Sequence, residues 1–540
     1  MPRRPPPEIA LPRTLASLDR LRDAGVCAAV ALAPFETEAL ALPIAGVRLT
    51  LLELAIGLAG GAALLDRLRT LSASGKAPRL GRLGAALLGL AMVVAASAAL
   101  APGPAEIARV AWLGGARSLG LLGFVLAVAD AWRGPARRPL LLSATAATAV
   151  FLLLGAFEQL AGDGLLGVGA VEREAALLEP FRIKASVTSE GTRRLTASFA
   201  HANLAAAYLA ATLAFAVGAA PGRRLLGRAF SLAVAVCLAL TLSRGGLFAG
   251  GLACAVLLLW PTAGDEATRE RRLRVGLAGL GVLLSVATAP GLRARLLGAS
   301  SGVVAATLSR TAEASVRAEN TGRTCWRPAG RDRHRLVAFG SDGEELAAVD
   351  APTRLCPGAT FAIAPPAGTD HVRFEHHGLR AFASMPLDAR EGDGHDVAAE
   401  VAPISARPAG RAALWRDALR LGAERPLLGW GPDTFRLRKG GDAREHANNI
   451  ALEAFADTGA LGVVALFVAL LAGVLGAWRR REQEGAGERG VAVAVVVAYA
   501  GHGLLDCVLF FYGPTVPLCV AVGVLLASEP GTSAGDDAGS

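Results

Sequence analysis

The chain has 540 residues, of which 53% are hydrophobic and 19% are charged, and its mean hydropathy is +0.44. Soluble domains usually carry about 25% charged residues, and the apolar residues here fall in blocks of roughly the length that crosses a hydrocarbon core. The net charge of +9 lies mainly in short loops between these blocks, where it sets membrane topology rather than binding nucleic acid. We therefore predict an all-α polytopic membrane protein that contacts the lipid bilayer and has no nucleic-acid partner.

About twelve apolar segments follow one another along the chain. Their approximate positions are residues 25–44, 49–65, 83–100, 107–128, 140–160, 199–217, 225–242, 247–260, 275–289, 450–478, 491–511 and 515–526. Alternate short connections are rich in arginine, for example residues 67–82 and 479–481, whereas the intervening connections 101–106 and 511–514 carry no basic residue. The positive-inside rule then places the basic connections and both termini in the cytoplasm.

The predicted domain organisation has five parts. Residues 1–24 form a cytoplasmic N-terminal segment, 25–290 carry transmembrane helices 1–9, 291–445 form a large periplasmic loop, 446–528 carry transmembrane helices 10–12, and 529–540 form a cytoplasmic tail.

The large loop is long enough to contain its own folded elements. We predict a β-rich insertion at about residues 314–388 and an amphipathic helix at residues 408–424, suited to a membrane surface. The predicted strands are residues 335–339, 360–364 and 371–375, the last of which alternates apolar and polar side chains. A possible disulfide joins Cys325 and Cys356 within this insertion, and closing a loop of that length would stabilise it by about 3–4 kcal/mol.

Two arginines lie where charge is costly in a membrane. Arg244 occupies a minimal turn between two apolar arms on the predicted outer side, and it is either a site residue or an arginine that reaches toward the headgroups. Arg117 lies near the centre of the segment 107–128, and it is either a site residue or the partner in an internal salt bridge.

His446, Asn449, Glu453 and Asp457 follow at spacings of three, four and four, so they share one stripe of a helix that enters the membrane. One interpretation is an N-cap followed by a solvated first turn. The other is a general base beside arginines at a membrane surface, which suits chemistry near a diphosphate.

No metal ion or other cofactor is predicted. His371, His376 and His377 lack the spacing of a closed zinc site. No phosphate-binding loop, dinucleotide fingerprint or nucleophile elbow is present in the sequence.

Several short stretches together resemble the O-antigen ligase/polymerase family of integral membrane proteins. They are residues 199–208 (FAHANLAAAY), 241–246 (TLSRGG), 410–415 (GRAALW) with 425–432 (RPLLGWGP), and 446–453 (HANNIALE) with 457–462 (DTGALG). One departure is that the family often has His directly before the Asn of the last stretch, whereas this chain has Asn448 there and His446 two residues earlier.

The resemblance implies a multi-pass protein of the bacterial inner membrane that moves a glycan from undecaprenyl diphosphate to an acceptor, such as the lipid A core. It implies that Arg244 and Arg411 hold the diphosphate and that His446, or Glu453 beside it, takes the acceptor proton. Further candidates for substrate binding are Arg117, His201, Asn203 and Asn449.

Three alternatives to an O-antigen ligase-like glycosyltransferase remain. A polymerase of the same family would more often have two sizeable outer loops, so the one dominant loop favours a ligase. A transporter or flippase would show internal repeats and broken helices with polar groups at mid-membrane. A membrane scaffold that presents the outer loop to a partner would function without the arginines.

Overall fold

The structure is a computed structural model that describes residues 13–35, 41–44, 47–74, 80–162, 186–187, 193–199, 201–218, 224–262, 264–288, 306–311, 315–321, 325–326, 334–342, 344–376, 380–387, 408–438, 446–509 and 511–529. The chain divides into two compact units. The helical unit comprises Met1–Ala185, Leu195–Leu283 and Ala409–Ser540, and the β unit comprises Ser186–Arg194 and Leu284–Pro408.

Helices make up most of the described chain. In order they are α1 (Arg13–Leu32), α2 (Leu51–Ser74), α3 (Arg82–Ala99), α4 (Ala105–Arg133), α5 (Arg137–Gly162), α6 (Ala202–Gly218), α7 (Arg224–Leu240), α8 (Arg244–Leu259), α9 (Asp265–Thr288), α10 (Pro408–Glu424), α11 (Phe435–Arg438), α12 (Ile450–Arg479), α13 (Ala486–Gly503) and α14 (Tyr512–Ala527).

Within the described residues, four helices are long and apolar enough to cross a membrane: α3, α4, the Arg137–Ala156 part of α5, and α12. Helices α6, α8 and α14 are apolar but shorter. These lengths and compositions support a membrane protein. The count of twelve spans stays a prediction.

The first predicted segment, residues 25–44, is wrong in its extent. Helix α1 begins at Arg13 and ends at Leu32, and a short 3-10 turn follows at Ala33–Phe35. Pro34 has no backbone N–H and cannot continue an α-helix. Beyond it, β1 (Ala41–Ile44) pairs antiparallel with β2 (Val47–Thr50), so the end of the predicted segment is a strand.

Helix α6 lies at the centre of the helical unit. It contacts α7, α8, α13 and α14, and nearly all of its side chains are buried, most of them alanine. Tyr208 of α6 forms an aromatic cluster with Phe151 of α5 and with Phe199, and the ring centroids are 5.4–5.6 Å apart. The hydroxyls of Tyr208 and Thr148 are 3.0 Å apart. Small side chains let neighbouring helices approach closely, so the residues just before α6 are held in the middle of the bundle.

The β unit contains two antiparallel sheets, with strand orders β11-β10-β7-β8 and β5-β6-β9, and a short hairpin of β3 (Ser186–Val187) and β4 (Arg193–Arg194). The remaining strands are β5 (Ala306–Arg310), β6 (Val316–Asn320), β7 (His334–Phe339), β8 (Glu345–Asp350), β9 (Thr360–Ile363), β10 (His371–His376) and β11 (Arg380–Pro386). Strands β7, β9 and β10 lie at the three positions where the sequence predicts strands.

The two sheets share an apolar core around Trp326, whose ring centroid is 4.2 Å from that of Phe374. Side chains alternate between this core and the outside, so Val316 and Ala318 of β6 are buried while their neighbours are exposed. Cys325, directly before Trp326, forms a disulfide with Cys356. The bond closes a stretch of 31 residues across the core.

We expect the double substitution Cys325→Ser, Cys356→Ser to lower the free energy of unfolding of the β unit by about 3–4 kcal/mol, because the cross-link restricts the unfolded chain. The measurement is pulse proteolysis of the full-length protein in detergent over a urea series, with trypsin cleavage within the β unit as the signal. Cys254→Ser, which removes a free thiol of α8, is the matched control. An identical urea midpoint in the double variant would contradict a stabilising role for this bond.

Candidate functional site

Segments that are far apart in the sequence meet at one end of the helical unit. The amide of Asn449, before α12, donates to the Leu504 carbonyl, 3.1 Å away. The amide of Asn203, in the first turn of α6, donates to the Asp506 carboxylate, 2.5 Å away. The loop that follows α13 therefore binds the starts of both α6 and α12. We call this the site end of the bundle.

Arg244 is the first residue of α8, which also begins at the site end. Ser243 caps this helix, because its hydroxyl accepts a hydrogen bond from the Gly246 N–H (3.2 Å). Gly245 lies against His502 at the end of α13, and the Arg244 side chain is exposed. Its charge adds to the partial positive charge of a helix N-terminus, and both favour an anion.

The centre of the site end is a histidine bound to a buried carboxylate. The Nδ1 atom of His446 is 2.7 Å from Oε1 of Glu453, and the Ala447 N–H donates to Oε2 at 2.5 Å. The Glu453 side chain is 1% exposed and that of His446 is 13% exposed. A carboxylate acceptor at Nδ1 favours the neutral tautomer of His446 with its proton on Nδ1 and its lone pair on Nε2.

The surroundings of His446 change its affinity for a proton in two directions. Burial of the ring disfavours the charged form, but the hydrogen bond and negative charge of Glu453, with a further contribution from Asp433, outweigh it. The net effect raises the pKa of His446 above its ordinary value. The ring of Phe511, just before α14, contacts His446 edge-on with centroids 5.7 Å apart.

Asn449 and Asn448 shape the entry into α12. The Asn449 Oδ1 atom accepts the N–H groups of Ala451 (3.0 Å) and Leu452 (3.1 Å), so Asn449 is the N-cap. Asn448 has φ +52°, a left-handed conformation that asparagine tolerates better than most residues. The N-cap interpretation of the sequence is correct for Asn449, but Glu453 and Asp457 are buried rather than solvated.

Left-handed backbone conformations concentrate in the stretches that carry the resemblance. Among the described residues, the non-glycine positions with positive φ are Ala197, Leu242, Asp433 and Asn448. Each lies in one of those stretches or within two residues of it. Such conformations are costly and persist where surrounding contacts hold them, commonly at functional sites.

Asp457 lies one turn beyond Glu453 and binds a different segment. Its carboxylate is buried and accepts the N–H groups of Asp433 (2.8 Å) and Phe435 (2.9 Å). A small apolar core lies beside it, formed by α10, α11, Ala447 and α12. Its buried members are Leu414, Ala418, Leu421, Phe435, Ala447 and Ala456.

The remaining predicted residues occupy different surroundings. Arg411 belongs to α10, but its side chain lies outside the described residues. Arg117 forms a salt bridge with Glu53 at 3.4 Å and lies 6.0 Å from the ring of Tyr512. His201 is exposed, and its Nδ1 accepts the Asn203 N–H at 3.2 Å.

A largely apolar cavity of about 190 Å³ adjoins the site between α3, α4, α12 and α14. Its lining includes Leu90, Val125, Ala469 and Val522, and Asp457 contributes a polar group. Within the part of the chain that the structure describes, no His, Cys, Asp or Glu side chains are grouped in threes as metal ligands would be.

Residues 397–468 match the family model described as O-antigen ligase. This match supports membership of the O-antigen ligase family. The matched region contains the His446–Glu453 pair at the centre of the site end. It also contains Asp457 and α10, and the small apolar core that α10 shares with α12 lies beside Asp457. No curated protein matches the chain. The match and the long apolar helices together support a multi-pass protein of the inner membrane.

The sequence alone did not indicate two residues of this site. The Asp506 carboxylate accepts a hydrogen bond from the Asn203 side chain, although the sequence offers no reason to connect them. Phe511 was counted as the end of an apolar segment, although it contacts His446. Both contacts join residues far apart in the chain, and no spacing rule signals them.

We expect Asn448→Val to destabilise the site end by about 1–2 kcal/mol and Asn448→Gly to be tolerated, because a β-branched residue resists a positive φ that glycine adopts freely. The measurement is the apparent melting temperature of both purified variants beside the wild type. Equal melting temperatures for the valine and glycine variants would contradict this account.

Proposed function

We propose that this protein is an O-antigen ligase-like glycosyltransferase, which moves a glycan from undecaprenyl diphosphate to an acceptor hydroxyl at the periplasmic face of the bacterial inner membrane. The observation that carries the proposal is the His446–Glu453 pair, with 2.7 Å between Nδ1 and Oε1. It lies at the end of the bundle where Asn203 and Arg244 also lie. In this arrangement His446 can act as the base and Arg244 can supply the positive charge at one reaction centre.

In the proposed reaction, the acceptor hydroxyl attacks the anomeric carbon of the glycan. A new C–O bond forms there, and the bond between that carbon and the diphosphate oxygen breaks. The hydroxyl proton passes to Nε2 of His446. The diphosphate leaves on its polyprenyl chain, and Arg244 and Arg411 stabilise the negative charge that grows on it.

Glu453 acts on the base rather than on the substrate. Its hydrogen bond holds the imidazole with the proton on Nδ1, so that Nε2 accepts the new proton. Its negative charge then stabilises the imidazolium that forms. Because Glu453 also binds the Ala447 N–H, the orientation of the ring is fixed before substrate arrives.

The apolar cavity supports a lipid-linked donor. A polyprenyl chain is hydrocarbon, and burying it away from water is favourable in proportion to its area. The cavity extends along α12 from Ile450 to Leu470, while the reactive pair lies just before and within the first turns of the same helix. This geometry suits a donor with a polar head at the site end and an apolar tail in the cavity.

The break in α12 at Gly459 does not by itself favour a transporter. The N–H groups of Ala460 and Leu461, which follow the break, donate to the carbonyls of Pro426 (2.7 Å) and Leu427 (3.3 Å). Discontinuous helices of transporters instead direct their freed backbone groups at substrate and ions.

We expect a strain that lacks this protein to accumulate long glycan chains on the undecaprenyl carrier and to attach none to the surface. Wild-type protein restores attachment, whereas Arg244→Ala lowers the transfer rate about 10²–10³-fold, since it removes one charged donor from the leaving group. Arg109→Ala, an exposed arginine near the start of α4, is the control and restores attachment. The measurement separates lipid-linked from surface-attached glycan.

Two outcomes would count against a ligase. Surface glycan capped at a single repeat unit would identify the polymerase alternative within the family. A glycan profile unchanged by deletion, or full attachment with Arg244→Ala, would favour a transporter or scaffold.

We expect the rate of transfer to rise with pH through the raised pKa of His446, because only the neutral imidazole accepts a proton. Glu453→Gln removes the charge that raises this pKa, so the acidic limb of the profile shifts to lower pH while the maximal rate falls. The measurement is the initial transfer rate in proteoliposomes over a pH series. An acidic limb that stays in place would contradict coupling between Glu453 and the base.

A further inference from the structure

The segment of residues 426–435, which we call the Trp430 turn, lies against the broken part of α12. Gly459 has φ +68° and interrupts the helix. A side chain at Gly459 would overlap the backbone of Leu427, and one at Gly429 would overlap that of Asp457. Both glycines are therefore required by the close approach of two backbones.

Backbone hydrogen bonds join the two segments along this contact. The Trp430 N–H donates to the Ala456 carbonyl at 3.0 Å, and the Gly431 N–H donates to the Asp457 carbonyl at 2.8 Å. The Ser97 hydroxyl of α3 donates to the Leu428 carbonyl at 2.7 Å. These bonds satisfy backbone groups that the break would otherwise leave unpaired in an apolar region.

The Trp430 turn also holds helix α10. The indole N–H of Trp430 donates to the Leu421 carbonyl in the last turn of α10, 2.9 Å away. Gly422 of α10 lies directly against the ring of Phe455 in α12. The position of α10, which carries Arg411, is therefore fixed on α12 through this turn.

The side chain of Asp457 in α12 binds the C-terminal end of the Trp430 turn. Its two carboxylate oxygens accept the N–H groups of Asp433 and Phe435 at 2.8 and 2.9 Å. Glu453, one helical turn earlier, binds the Ala447 N–H. Two neighbouring buried carboxyl groups thus hold the chain on either side of α11. Asp457 binds the start of α11 and the residues just before it, which follow α10, and Glu453 binds His446 and the Ala447 N–H.

We propose that Asp457 is a positioning residue: it fixes the Trp430 turn on α12 and so sets the distance between helix α10, which carries Arg411, and the His446–Glu453 pair. This inference rests on the proposed function. Asparagine cannot replace the carboxylate fully, because it has a single acceptor oxygen and its amide would face the second backbone N–H.

The first test measures structure without activity. In the purified full-length protein, hydrogen–deuterium exchange is followed for a peptide covering residues 430–438. We expect Asp457→Asn and Asp457→Ala to raise exchange there at least tenfold, while a peptide covering residues 449–455 is unchanged. Thr458→Ala is the matched control, since its hydroxyl bonds only the Ala454 carbonyl of its own helix (2.8 Å).

The second test measures transfer in proteoliposomes. We expect both Asp457 variants to raise the KM for the lipid-linked glycan about tenfold, because helix α10 loses its fixed place on α12, while the acidic limb of the pH profile stays at the pH set by His446. Unchanged exchange in residues 430–438, or raised exchange with unchanged KM, would overturn the inference. A shift of the acidic limb would overturn it too, since Asp457 would then act on the base. If the wild type transfers no glycan, the proposed function falls, and the exchange result still decides whether Asp457 holds the turn.

Discussion

The polar oxygens of a carboxyl group buried in an apolar helix must be satisfied by hydrogen bonds, and helix α12 carries two such groups in its first turns. Glu453 and Asp457 are each about 1% exposed. Each is satisfied by backbone N–H groups from the chain that precedes the helix. The placement of residues 433–435 and 446–447 depends on this constraint, because these bonds hold the chain against α12 at two points and leave His446 beside Glu453.

Several helices begin at the site end, and this gives the region an electrostatic bias that no single residue supplies. The N-termini of α6, α8 and α12 are brought together by Asn203, Gly245 and Asn449, and α14 begins beside His446. Each N-terminus carries a partial positive charge. The site end therefore suits the diphosphate of the proposed donor. The adjoining apolar cavity suits the polyprenyl chain of that donor.

Local features were predictable from the sequence, and contacts across the fold were not. Helix α10 spans Pro408–Glu424, as its periodicity predicts, because Pro408 suits a first helical position and the apolar residues repeat at helical spacing. Three strands of the β unit, β7, β9 and β10, were predictable as well, and β10 shows the alternation of apolar and polar residues. The break at Gly459 was not predicted, since the isolated sequence of α12 reads as continuous helix and the break depends on the Trp430 turn. The role of Asp457 was missed for the same reason.

The Cys325–Cys356 bond links the folding of the β unit to the direction in which the chain enters the membrane. Disulfides persist in oxidising compartments and are reduced in the cytoplasm. The β unit is inserted between α9 and α10, so its compartment is decided by the orientation of the helices on either side. A chain inserted the wrong way round would keep two reduced thiols and a weakened β unit. Cellular quality control would thus have a chemical means of recognising inverted copies and degrading them.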